Sequence, residues 1–108
     1  MGTHLGEFEQ IVLLALIRLN DEGYGVSVRD AIAERTGRDA DFATVYSTLS
    51  RLEEKGMVMS RLGDPTPERG GRRKKYFTIS ATGRAALVRS LRALRSMSRG
   101  LGQQLELR

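Results

Sequence analysis

The segment from Glu7 to Leu19 constrains the fold most, because it is apolar on nearly every side of the helix that it predicts. Leu13, Leu14 and Ile17 fill the side opposite the main apolar face. A helix of this kind needs cover on more than one side. In a chain of 108 residues, we expect a second subunit to supply part of that cover. The main face consists of residues at helical spacing: Phe8, Ile11, Val12, Ala15, Leu16 and Leu19.

Two more helices are predicted before the middle of the chain. Gly23 and Gly25 flank Tyr24 and permit a turn that other residues resist, and a second helix follows over about residues 27–35, closed by Gly37. A third helix covers about residues 42–55, and Gly56 ends it. Its inward face is predicted from spacings of three and four: Phe42, Val45, Leu49 and Leu52.

A β-hairpin and a fourth helix complete the pattern. Residues 57–62 and 74–79 are typical of strands, and the turn-forming residues 63–72 predict a long hairpin tip between them. Ser80 is placed to cap a helix that begins at Ala81 and frays near Arg99. The fold class is therefore mostly α with a β-hairpin. The order helix-helix-helix-hairpin-helix is that of a winged helix-turn-helix, which offers its third helix to DNA.

Composition argues against several other classes. Without cysteine there is no disulfide, thiolate nucleophile or cysteine zinc site, and His4 is the one histidine, near the terminus. No paired carboxylates, phosphate loop or nucleophile–base pair stands out, so we expect no catalytic residues, no metal site, no cofactor and no enzyme. The apolar run 11–17 is far shorter than the roughly 20 residues that span a bilayer. A cytoplasmic protein without a membrane role is expected.

The charge changes sign at mid-chain. Residues 1–56 carry six Lys and Arg against ten Asp and Glu, whereas residues 57–108 carry twelve against three. The net charge is +5. Such a division indicates that one face meets a polyanion. Charge alone leaves nucleic acid and an acidic membrane surface both open.

Side chains suited to DNA follow in two places. On the third helix, the side away from the apolar stripe is predicted to present Thr44, Ser47, Thr48 and Arg51, which bond base edges and phosphates. On the hairpin, a glycine pair within a basic run lets the backbone approach a phosphate while cations neutralise its charge. The predicted wing residues are Arg69, Gly70, Gly71, Arg72, Arg73 and Lys74.

The last helix predicts a dimer. Its leucines follow a heptad-like alternation of four and three, with Ser98 in the one polar position. We therefore expect residues 1–80 to form the DNA-binding domain and residues 81–108 the dimerisation helix and tail. The predicted dimer interface combines both apolar helices: Leu13, Ile17, Leu87, Leu91, Leu94 and Leu101, with Leu105 continuing the alternation.

A family resemblance covers about residues 5–94. Residues 24–26 read YGV, residues 43–58 read ATVYSTLSRLEEKGMV and residues 70–80 read GGRRKKYFTIS, before Gly83 and the last leucines. In this spacing they resemble the PadR family of transcriptional regulators. The resemblance implies a cytoplasmic repressor that binds double-stranded DNA, at a palindromic operator, as a homodimer. It further implies that Tyr24 and Tyr46 contact phosphates and that the third helix reads bases.

The single last helix is similar to the short PadR subgroup. That subgroup includes multidrug-responsive members that bind planar ligands between tryptophans at the dimer centre, and this chain has no tryptophan. The resemblance leaves a small-molecule effector open, of unidentified chemistry.

Two alternatives remain at this point. The first is a winged-helix module that binds protein through its first and fourth helices and binds no DNA. The second is a peripheral membrane role, since four arginines lie beside the leucines of the last helix: Arg84, Arg89, Arg92 and Arg95.

Overall fold

The predicted order of three helices, a hairpin and a fourth helix is confirmed. The computed structural model describes residues 4–64 and 73–107. Within these ranges no helix is long and apolar enough to cross a membrane. A 3₁₀ turn (Asn20–Glu22) and a short helix over Gly102–Leu105 were not predicted. The elements are α1 (Glu7–Leu19), α2 (Gly25–Thr36), α3 (Phe42–Glu54), β1 (Val58–Leu62), β2 (Lys75–Ile79), α4 (Ala81–Ser98) and α5 (Gly102–Leu105).

The core forms where α1 packs against α2, α3 and β2. Leu13 lies in it fully buried, so its predicted place in a dimer interface is wrong. The chain's own elements surround α1 on several sides and cover that side chain. Ile17 stays half-buried, and Leu14 is partly exposed. The core side chains include Val12, Leu13, Leu16, Val28, Ile32, Val45, Leu49, Leu52, Met57, Phe77 and Leu87. Burying each large apolar side chain contributes roughly 1.5–3 kcal/mol.

The buried face of α3 differs from the predicted one at two residues. Thr48 is 1% exposed, although it was predicted on the DNA-facing side. It lies three residues after Val45 and four before Leu52, so it shares their face. Its hydroxyl donates to the Thr44 carbonyl at 2.8 Å, which satisfies it without leaving the core. Phe42 is 44% exposed instead of inward, because it begins the helix at the rim of the core.

The turn at residues 23–25 requires glycine for space rather than for backbone freedom. Gly23 has an ordinary φ of −84°. A Cβ there would lie 2.6 Å from Leu16 Cδ2 and 3.3 Å from the Phe77 carbonyl oxygen. The Phe77 amide donates to the Gly23 carbonyl at 2.7 Å. Glycine therefore lets the α1–α2 turn lie directly on β2.

The hairpin is antiparallel, with Ser60 opposite Phe77 and Leu62 opposite Lys75. Alternation turns Phe77 into the core and leaves Tyr76 half-buried. Of the predicted tip, residues 65–72 lie outside the described residues. The hairpin contacts the turn before α2, through the Phe77–Gly23 hydrogen bond, and it also contacts α3. Its position is therefore fixed relative to both.

The first two turns of helix α4 pack against the core, and the rest of the helix projects from it. Ser80 caps it as predicted, accepting the Gly83 amide at 3.0 Å and donating to the Gly56 carbonyl at 2.6 Å. Gly83 is buried, and a Cβ there would collide with the Met57 carbonyl. This close approach fixes the first turn of α4 against the end of the α3–β1 connection.

The outer part of α4 exposes its leucines. Leu87 is buried by this chain itself, so its predicted place in the dimer interface is wrong, whereas Leu91 and Leu94 are 38% and 61% exposed. The helix ends at Ser98, and Gly100 adopts a φ of 84°. Leu101 and Leu105 therefore belong to the tail around α5 and not to one continuous heptad seam. The radius of gyration is 15.6 Å, above the roughly 13 Å of a compact chain of this length, because α4 projects.

Candidate nucleic-acid interface

The outward face of α3 forms a shallow groove. Thr44, Ser47 and Arg51 are exposed, and Ser47 and Arg51 line the groove. The Ser47 hydroxyl donates to the Thr44 carbonyl at 3.1 Å, which leaves its oxygen able to accept. Thr48 is absent from this surface because it is buried. The groove is lined by Phe42, Ala43, Tyr46, Ser47, Ser50, Arg51 and Glu54.

Asp41 begins α3 as its N-cap. Its Oδ1 accepts the Thr44 amide at 2.7 Å. This hydrogen bond lowers the pKa of the Asp41 carboxyl below its usual value of 3.8. The carboxylate thus satisfies an otherwise unpaired amide at the positive end of the helix. Asp41 therefore has a structural reason to precede α3.

Glu53 joins α3 to both strands of the hairpin. Its carboxylate accepts from the Ser60 hydroxyl on β1 and pairs with Lys75 Nζ on β2 at 3.4 Å. The Ser60 hydrogen bond, with help from Lys75, outweighs a small desolvation effect and lowers the pKa of Glu53. The two bonds hold the hairpin at a fixed position beside α3. Glu54, in contrast, is exposed and lines the groove.

A cluster of aromatic rings and cations lies at the end of the hairpin strands nearest the tip. The rings of Tyr24 and Tyr76 meet edge to face, 5.5 Å apart. Lys74 Nζ lies 4.5 Å from the Tyr24 ring centroid and 3.4 Å from its hydroxyl. Arg61 stacks on Tyr76 at 4.7 Å and donates to the Asp21 carbonyl. Arg61 was not predicted from the sequence, because only the cross-strand register places it opposite Tyr76.

The predicted phosphate and wing residues are only partly brought together. Tyr24 is in the cluster with Lys74, and Arg73 is exposed beside it in the chain. Tyr46 is half-buried between the rings of Phe42 and Phe77, at 5.8 and 6.1 Å. The other wing residues lie outside the described residues: Arg69, Gly70, Gly71 and Arg72.

Glu9 of α1, which was not predicted as a site residue either, contacts the end of α3. Its carboxylate bonds Lys55 Nζ at 2.8 Å and Arg51 Nε at 3.4 Å. Burial raises the pKa of Glu9, but the bonds from Lys55, the Gly6 amide and Arg51 together lower it below its usual 4.5. Glu9 and Arg51 are 42 positions apart, so no local pattern in the sequence indicates this contact.

The family follows from a comparison of this sequence with family models. The model described as the transcriptional regulator PadR-like family matches residues 13–89, from α1 to α4. This chain belongs to the PadR-like family. The match includes the whole of α2, α3 and the hairpin strands, so the exposed α3 face lies within the PadR-like part of the chain.

This PadR-like chain is similar to a curated relative and to several solved structures. An uncharacterized protein of Lysinibacillus sphaericus is 32% identical over 84 residues, which are 76% of this chain and 72% of the relative. A PadR family transcription regulator from Clostridium difficile is 22% identical, with a TM-score of 0.71, covering 91% of this chain and 98% of the other. Bacillus subtilis PadR, solved in complex with operator DNA, is 22% identical with a TM-score of 0.66. That match covers 79% of this chain and 46% of PadR. At these identities the two structures show the same fold.

Proposed function

We propose that this PadR-like protein is a transcriptional repressor that reads a specific operator with the exposed face of α3. One observation carries the proposal: the exposed Thr44, Ser47 and Arg51 lie on a helix that Glu53 joins to the hairpin. Hydroxyls and a guanidinium suit base edges, whereas Lys74 beside the Tyr24 hydroxyl suits a phosphate. Operator binding by Bacillus subtilis PadR, which shares the fold, supports the same use here.

The protein acts as a homodimer in this proposal. Residues 1–80 bind DNA, and residues 81–108 bring two copies together through the exposed side chains of α4. Leu91, Leu94 and Met97 leave apolar surface in water on a projecting helix, and covering it is favourable. A two-fold dimer presents two copies of α3, so the operator is a palindrome with half-sites about one helical turn apart.

Footprinting on the promoter upstream of the protein's own gene tests the proposal. We expect protection of an inverted repeat, with both halves occupied together and affinity that falls steeply with salt. Protection of one half-site by one subunit would contradict the dimeric arrangement. No binding to DNA at any salt concentration would favour the protein-interaction module instead.

A further inference from the structure

The carboxylate of Glu9 is held in place by the start of its own helix. Its side chain is 8% exposed, in the first turn of α1. Oε1 accepts the Gly6 amide at 2.9 Å, an unpaired group at the helix N-terminus. This bond orients the carboxylate so that Oε2 faces α3. The orientation of the Glu9 carboxylate therefore does not depend on the cations that contact it.

Two cations converge on Oε2, Arg51 from the last turn of α3 and Lys55 from its C-cap. Lys55 Nζ lies at 2.8 Å and Arg51 Nε at 3.4 Å from it. Arg51 and Lys55 are four residues apart, so they lie on one face of α3 and repel each other. The carboxylate between them offsets that repulsion. Its lowered pKa keeps it ionised at neutral pH.

The bond from Arg51 uses the inner nitrogen of the guanidinium. Among the described residues, Arg51 makes no hydrogen bond through either Nη, and its side chain is 52% exposed. The outer edge of the guanidinium, formed by the two Nη groups with their parallel N–H donors, stays available for a contact of two hydrogen bonds with guanine or a phosphate. A long, flexible side chain that is already oriented loses less freedom when it binds.

We propose that Glu9 is a positioning residue for DNA recognition, which holds Arg51 by Nε and presents the outer edge of its guanidinium to the DNA. Lys55 is the closer partner and keeps Glu9 in place. This inference rests on the proposed function, because it gives Arg51 a base edge to read. Glu9 touches no DNA itself and acts through Arg51.

The matched variants are Glu9→Gln and Glu7→Gln. Both remove one negative charge from the first turn of α1, but Glu7 pairs with Arg38 at 3.0 Å and not with α3. Affinities for the operator and for a scrambled duplex are measured at the same salt concentrations. We expect Glu7→Gln to change both affinities by the same factor, and Glu9→Gln to lower the operator-to-scrambled ratio by about twofold or more.

The Arg51→Ala background identifies the route of the effect. Glu9→Gln should leave the affinity ratio unchanged there, because no guanidinium remains to be positioned. An effect on the ratio that persists without Arg51 overturns the inference, as does a Glu9→Gln result equal to that of Glu7→Gln. If Arg51→Ala leaves the ratio unchanged while wild type still prefers its operator, this inference fails and the proposed function stands. If wild type binds no DNA, both fail.

A measurement on wild type avoids any variant that folds poorly. In ¹H–¹⁵N spectra of the free protein, the Arg51 Nε–H should exchange with water more slowly than that of Arg35, which is exposed. Equal exchange rates would show that Glu9 does not hold Arg51, and would overturn the inference.

Discussion

Helices α3 and α4 both carry apolar residues at spacings of three and four, yet this chain covers only one of them throughout. Val45, Leu49 and Leu52 of α3 are fully buried, between α1, α2 and the hairpin. On α4 the buried residues are confined to the first two turns, and Leu91, Leu94 and Met97 become progressively more exposed, at 38%, 61% and 78%. Periodicity therefore identifies an apolar face but does not say which chain covers it.

The largest effect is expected where α3 is covered. Leu49→Ala removes buried methyl groups and leaves a cavity, so it should lower the free energy of unfolding by about 2–5 kcal/mol. Chemical denaturation monitored by circular dichroism measures this. Met59→Ala is the control, because Met59 is 57% exposed on β1 and should change stability by no more than about 0.5 kcal/mol. Equal losses in the two variants would mean that the α3 face is not the core.

The next effect tests what covers α4. Leu91→Arg places a charge in the proposed dimer interface, at a cost on the order of 3 kcal/mol, or about a hundredfold in the dimer dissociation constant. Light scattering over a range of protein concentrations should show wild type as a dimer and the variant shifted to monomer. Met59→Arg adds the same charge to an exposed apolar site outside α4 and should remain dimeric. A wild-type monomer, or a dimeric Leu91→Arg, would contradict the proposed interface.

The sequence predicted α3 better in its apolar stripe than at its margins. Three of its four inward residues are buried as expected, because helical periodicity determines which residues share a face. Thr48 was misplaced because its residue type suits a DNA-facing side, whereas here its own helix satisfies the hydroxyl at 2.8 Å inside the core. Phe42 was misplaced because the pattern does not show how far the core extends along a helix.

The site contains long-range contacts that no local pattern predicts. Glu9 pairs with Arg51 across 42 residues, and Arg61 reaches Tyr76 through the hairpin register. The predicted exposure of Thr44, Ser47 and Arg51 agrees with the structure, while their contacts with DNA remain predictions. For α4, Leu87 was assigned to a partner because its spacing matches that of Leu91, and only the packed fold separates the two.

A variant on the outward face of α3 should distinguish base contacts from phosphate contacts. Arg51→Ala should weaken operator binding by about 1–3 kcal/mol and non-specific binding less, because a base edge differs between sequences and a phosphate does not. Titrations against operator and scrambled duplexes at several salt concentrations measure both affinities.

Arg73→Ala is the comparison variant from the basic end of the hairpin. It should weaken both duplexes alike and reduce the slope of log affinity against log salt by about one unit. Equal losses on both duplexes for Arg51→Ala would make Arg51 a phosphate contact. Specificity would then come from Thr44, Ser47 or the shape of the DNA.

The smallest effects concern the caps that begin the two helices. Asp41 caps α3 and Ser80 caps α4, each accepting the amide of the residue three positions later. Ser80→Ala should lower the free energy of unfolding by about 1 kcal/mol at every pH, since a hydroxyl does not titrate in this range.

Folding lowers the pKa of Asp41, so its stabilising contribution is complete above its ordinary value of 3.8 and is lost as the pH falls through the lower value of the folded state. Asp41→Asn keeps an oxygen that accepts from Thr44 but removes the titration. The difference in unfolding free energy between wild type and Asp41→Asn should therefore be constant from pH 7 to about pH 5 and change only in stronger acid, whereas the difference for Ser80→Ala stays flat. Denaturation curves collected from pH 7 to pH 3 compare the two, and a pH-independent Asp41→Asn difference would mean that the Asp41 carboxylate does not cap α3.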